Sequence, residues 1–189
     1  MPDASNPKPL HPRIEELLEY LEETRAAFLM AVTAVPDALR SARPVPGRWT
    51  LGEIVDHVGK VESACVRLLA KKVAEARAQG HAIEMDTSSI MTNFDTKRLL
   101  DRTRRIEAPP IVVPTEGAPV EDGLAALGRS RAALHAVLVD ASGLALGTLT
   151  FPHPALGVIN MYQWALSIGG HDTRHAEQVR ELTHAAQAS

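Results

Sequence analysis

Cysteine occurs once in this chain of 189 residues, so no disulfide can close within it, and a reducing compartment is expected. Aromatic residues make up only 4%, too few to build platforms on which nucleic-acid bases stack. Positive charge is not in excess either. Twenty Lys and Arg against 23 Asp and Glu leave a net charge of −3, which offers no attractive field to nucleic acid or to an anionic membrane. No segment approaches the roughly 20 apolar residues of a membrane-spanning helix. Met1 to Pro12 lacks the apolar run of a secretory signal. These absences predict a cytoplasmic protein that binds neither nucleic acid nor membrane. What is present, 45% hydrophobic and 23% charged residues, is ordinary globular composition. It predicts a single domain over residues 1–189 with a flexible tail at 1–9.

Apolar spacing is helical almost throughout. Ile14, Leu17, Leu18, Leu21, Phe28, Ala31 and Val32 recur in steps of three and four, with Glu15, Glu16, Glu19, Glu22 and Glu23 on the wet side. Pro36 closes this first helix. Thr50 and Glu53 form a capping box that opens a second helix running to about Gly80, with a seam through Ile54, Val58, Val61, Cys65 and Leu69. Cys65 on that seam reads as a small buried hydrophobe. Residues 80–120 are irregular. A short helix rich in Arg and Lys is expected within Thr96 to Ile106, then an extended proline-rich segment from Ala108 to Pro119, and a connection of this length suits a crossover or a site-covering loop. A third helix is expected from Val120 to Ala141, with Arg131 and His135 at its margin in structural roles. A linker containing Thr148–Phe151, able to pair briefly but too short to make a sheet, then leads through Leu156-Gly157 into a fourth helix ending near Ala186. Four long helices without convincing strands define an all-α bundle.

Three histidines fall on core-facing seams. His171 and His175 share one stripe of the fourth helix with Trp164, Ile168, Val179 and Leu182, and their Cβ atoms should lie about 6 Å apart. His184, nine residues beyond His175, is rotated by about half a turn and points outward. His57 lies on the seam of the second helix. Three imidazoles packed together leave several polar atoms to satisfy in a poor dielectric, by one another and water or by a divalent ion. Glu53, one turn before His57, is accounted for by its capping role, and a part as metal ligand or general base stays open. Asp172 is near in sequence only.

Two stretches carry a family resemblance. Arg43-Pro44-Val45-Pro46-Gly47-Arg48-Trp49-Thr50-Leu51-Gly52-Glu53-Ile54-Val55-Asp56-His57 resembles the N-terminal signature of the DinB-like superfamily. His153-Pro154-Ala155-Leu156-Gly157, followed by Trp164, His171 and Arg174-His175, resembles its C-terminal signature. The similarity extends from about Leu10 to Leu182. It implies an up-down-down-up four-helix bundle with the long crossover between the second and third helices. It also implies a metal held by His57, His171 and His175, and a homodimer. Zinc is the first expectation for an all-imidazole set and nickel the second.

Three protein ligands leave coordination positions open, which suits catalysis. The function expected is therefore a metal-dependent enzyme, a thiol S-transferase or hydrolase, that activates a small thiol or water against an electrophilic small molecule. The alternative is a non-catalytic stress-related binding protein in which the metal is structural. Trp49 should pack at the first turn of the second helix. The mouth of the site should be lined by the loop around Trp49 and by the 80–120 crossover.

Overall fold

Four long helices and a small hairpin carry the chain in the computed structural model. The model describes residues 9–94, 96–103 and 107–187, apart from the side chains of 93, 96, 98 and 184–187. The helices are α1 (Pro12–Thr33), a single turn α2 (Asp37–Arg40), α3 (Leu51–Ala78), a short α4 (Thr96–Leu100), α5 (Val120–Asp140) and α6 (Met161–Gln187). β1 (Thr150–His153) and β2 (Gly157–Asn160) pair antiparallel just before α6. Local chemistry sets the boundaries. His11 caps α1 by accepting from the Arg13 amide, and Pro12 occupies the first turn, where its missing N–H costs nothing. The capping box of α3 is complete: Thr50 Oγ1 accepts from the Glu53 amide, and Glu53 Oε2 accepts from the Thr50 amide at 2.9 Å.

Contacts between helices give the direction of each. Gly52 lies against Ala118 and Val120, Gly59 against Leu127, Glu62 bonds Ser130, and Arg77 pairs with Asp140. Both sets of numbers rise together, so α3 and α5 run parallel. The same holds for α1 and α6, where the Arg13 guanidinium lies over the Tyr162 ring, Gly169 meets Tyr20 and Thr24, and Arg25 bonds Asp172. Against α3 the order reverses: Arg25 pairs with Glu62, while Arg13 reaches Glu84 beyond the far end of that helix. The bundle is up-down-down-up. Two parallel neighbours in succession require a connection that travels the length of the bundle, and residues 80–119 supply it. Arg13 fastens this crossover by donating to the Ser88 carbonyl at 2.9 Å and to Glu84 at 3.2 Å. Glu16 accepts from the Ile90 amide at 2.8 Å.

The core is two apolar layers with an ionic layer between them. One layer holds Leu17, Leu69, Leu134, Met161 and Trp164, the other Phe28, Ile54, Leu127, Ala176 and Val179. Between them each long helix contributes one charge: Arg25, Glu62, Arg131 and Asp172. Arg25 reaches Glu62 Oε2 at 2.7 Å and Asp172 Oδ2 at 3.0 Å. Arg131 reaches the same two oxygens at 2.9 Å each, and Ser130 donates to Glu62 Oε1 at 2.6 Å. Charges balance within the layer, and the helices' register is fixed by geometry that apolar contacts alone do not impose.

The expected helices are present, and Arg131 is structural as expected, although it is a member of this buried layer rather than marginal. Two expectations need correction. The segment after Leu156 does not lead directly into the last helix: Gly157 to Asn160 is a strand, and α6 begins at Met161. The linker before it pairs with that strand and forms a hairpin. The reason is visible at Val158, which is 69% exposed although it continues the apolar run into α6. Among the described residues, the basic stretch holds its expected short helix over Thr96–Leu100. Arg104 to Ile106, like the tail residues 1–8 and the side chains of Arg98 and His184, lies outside the described residues. No described helix is long and apolar enough to cross a membrane.

Candidate metal centre

His57 projects from the second turn of α3, and His171 and His175 from successive turns of α6. His57 Nε2 stands 3.2 Å from His171 Nε2, which stands 3.1 Å from His175 Nε2. The three rings meet edge to face or tilted, with centroids 4.3 to 5.0 Å apart. Among the described residues they form the one group of three or more His, Cys, Asp and Glu side chains whose ligand atoms lie within 4.8 Å of one another.

The outer nitrogens decide what the inner ones can do. His57 Nδ1 lies 2.7 Å from the Val112 carbonyl oxygen, and His175 Nδ1 lies 2.8 Å from the Gln178 amide oxygen. Each oxygen can only accept, so both rings carry their proton on Nδ1 and present a bare lone pair at Nε2. His171 Nε2 has at most one proton and can satisfy only one of its two neighbours. Without a further partner, one close nitrogen pair is left lone pair against lone pair. A cation in the middle removes that conflict, and such hydrogen bonds to the far nitrogen are the usual support of metal-binding imidazoles. The residues fit a divalent ion.

Electrostatics agree with neutral rings. Burial pushes His175 down to about 3 and holds His57 below the usual histidine range. His171 is driven well below that range by burial, with the neighbouring His175 and His57 acting the same way. Trp49 packs against two of the rings, its own ring 4.7 Å from that of His57 and stacked at 6.4 Å on that of His175. The histidines and Trp49 together line a cavity of about 980 Å³. Its walls include the loop around Trp49 and the crossover through Leu99, Arg102, Pro109 and Val112, as expected. The hairpin residues His153 to Ala155 also line it, which the sequence did not suggest.

Neither carboxylate near the histidines in sequence reaches them. Glu53 is committed to its cap, to the Arg43 guanidinium at 2.6 Å and to the Gly117 amide at 3.1 Å. Asp172 points the other way, into the ionic layer. The open question over Glu53 thus closes in favour of the cap. Cys65 lines the cavity but is buried, and burial pushes its thiol up to about 12, so it is no nucleophile at neutral pH. The sequence left two supports of the site unmentioned. Gln178 sits three residues after His175 on the same face, a spacing that would have found it. The Val112 carbonyl belongs to the backbone of an irregular segment, and no side-chain pattern announces it. His11, His81 and His135 lie elsewhere, the first as a helix cap, the second against Thr148, the third exposed.

Comparison with known proteins agrees with the architecture. Residues 5–179 match the model of the DinB superfamily, and the chain belongs to that family. It is 21% identical over 169 residues to the uncharacterized protein YuaE of Bacillus subtilis (strain 168), covering 87% of this chain and 96% of that one. The crystal structure of TT2238, a four-helix bundle protein, superposes with a TM-score of 0.57 at 24% identity, covering 93% of this chain and 99% of the other. At that identity the likeness speaks to the fold.

Proposed function

We propose that the protein is a metal-dependent enzyme in which His57, His171 and His175 hold one divalent ion, zinc first and nickel second. We take the reaction to be activation of a small thiol or water against an electrophilic small molecule, in the manner of an S-transferase or hydrolase. The observation that carries the reading is the pair of outer nitrogens committed to Val112 and Gln178, which leaves lone pairs converging at the centre. A divalent ion held there supplies positive charge that eases loss of a proton from a thiol or water and polarises an electrophile. The chain does the rest. Gln178 and the Val112 carbonyl orient two rings, and Trp49 packs against the same two. Arg102 and Arg174 line the cavity and add positive potential around His175. Arg102 is paired with Glu181 at 2.7 Å, and among the described wall residues Glu107 is the acidic one against Arg48, Arg102 and Arg174, a balance that favours an incoming anion such as a thiolate.

The family resemblance makes a cytoplasmic homodimer part of the same proposal, and light scattering on the purified protein reads the oligomeric state. Elemental analysis of protein prepared without a histidine tag should find one divalent ion per chain, absent from His171→Ala. No stoichiometric metal in the parent, or a His171→Ala variant indistinguishable from it, overturns the reading. A metal that raises stability while no thiol or water reacts with a panel of electrophiles would instead identify the ion as structural.

A further inference from the structure

The hairpin before α6 carries a histidine held in a single protonation form. His153 Nδ1 accepts from the Ala155 amide at 3.1 Å and from the Leu156 amide at 3.2 Å. A ring nitrogen that accepts two N–H groups must present its lone pair, so the proton of the neutral ring sits on Nε2. Burial favours that neutral ring by lowering its pKa. The ring tilts against Trp164 with centroids 4.5 Å apart, and Trp164 is fixed in turn by its Nε1–H bond to the Phe151 carbonyl at 3.1 Å. Both rings line the cavity that contains the three histidines. With Nδ1 turned into the hairpin, Nε2–H lies on the opposite edge of the ring, and no described residue accepts from it.

We propose that His153 is a positioning residue of this cavity, whose Nε2–H holds an acceptor oxygen, carboxylate or carbonyl, at one end of a small substrate whose reacting end lies at the three histidines. This rests on reading the cavity as a substrate site. Trp164 precedes His171 by two turns of α6, about 10 Å at 1.5 Å per residue, and that span sets the length of the substrate. The wall between includes Val61, Leu68, Leu99 and Ile168, so the middle of the molecule is apolar. The substrate class is an elongated small molecule with an apolar body, a reactive group at one end and an oxygen acceptor at the other.

The test uses the full chain, metal-free, with 4-phenylbutyrate as the probe. Long-range nitrogen–proton NMR should find His153 with its proton on Nε2, and the Nε2 signal should move saturably as the probe is added. His153→Asn places a side-chain oxygen where Nδ1 stood, which keeps the two amide bonds of the hairpin, but it has nothing at the position of Nε2. It should melt like the parent and bind the probe at least about tenfold more weakly, the cost of losing one hydrogen bond to a charged acceptor. His153→Gln, whose amide nitrogen reaches the Nε2 position, should recover most of that loss. A proton on Nδ1, absence of saturable probe binding by the parent, or equal binding by His153→Asn each overturns the proposal. Metal content is measured separately. A parent that holds the probe through His153 but takes no metal sinks the metal reading alone. One that takes metal while His153→Asn binds the probe normally sinks only this inference.

Discussion

Gly52, the second residue of α3, faces the backbone of Ala118 so closely that a Cβ there would overlap its carbonyl oxygen. Gly128 on α5 has nothing within 4 Å of the same position. Alanine normally stabilises a helix interior by about 1 kcal/mol relative to glycine, and the two sites should part company. We expect Gly128→Ala to raise stability by up to about 1 kcal/mol in urea titrations. Gly52→Ala should lower it by about 1–3 kcal/mol, since backbone, unlike a side-chain tip, cannot turn aside. The histidines give a second expectation. Their folded pKa values lie below the unfolded value near 6.5, so the unfolded chain binds more protons as the medium acidifies. The stability they contribute is present in full above pH 6.5. In metal-free protein it falls as the pH drops through the range down to about 3, the value for His175. Each group adds up to about 1.4 kcal/mol per pH unit to that slope. Melts of metal-free protein at pH 7.5 and 5 check this: an unchanged midpoint would mean that the rings are already charged when folded.

At the scale of elements, the ionic layer gives the sharpest expectation. Arg25→Met strands Glu62 and Asp172 with only Arg131 between them, and removing one partner of a buried ion network typically costs about 3–5 kcal/mol. Arg77→Met, which breaks an exposed pair with Asp140, should cost less than about 1 kcal/mol. Thermal unfolding of the two variants reads the contrast directly. This layer was not legible in the sequence, because Arg25 and Glu62 fall among charged neighbours that look like a wet face, and only packing reveals which charges turn inward. The ends of α3 and α5 were legible, because Thr50, Glu53 and Pro119 are local signals that tertiary structure had no reason to override. Of the hairpin only a brief pairing of Thr148–Phe151 was legible, since Val158 and Ile159 extend the apolar spacing of α6 backwards and conceal the turn before Gly157. The three histidines could be read from spacing on two helices. Trp49 could be placed beside α3, but not over His57 and His175, because its ring reaches them across space rather than along the chain.

For the whole molecule, the proposed ion links all these parts. It binds groups from α3 and α6, and the Val112 bond ties the crossover to the same point. Because the lone pairs converge only in the folded bundle, metal should raise the melting midpoint, and a chelator should return it to the metal-free value. His171→Ala should show no such response. An equal chelator effect on parent and variant would place the stabilising metal elsewhere.

The direction of α3 and α5 has a consequence of a different kind. Two parallel helices in sequence oblige the chain to spend some forty residues, 80–119, travelling back along the bundle, and this return path forms a wall of the cavity. Part of that path is core: Ile90 belongs to an apolar layer, and Leu99 and Val112 are buried, whereas Pro109 and Ile111 line the cavity and are exposed. Substitutions at Pro109 and Ile111 can therefore reshape what enters the cavity without removing a buried side chain. A topology that demands a long return loop thus places an adjustable surface beside a fixed centre.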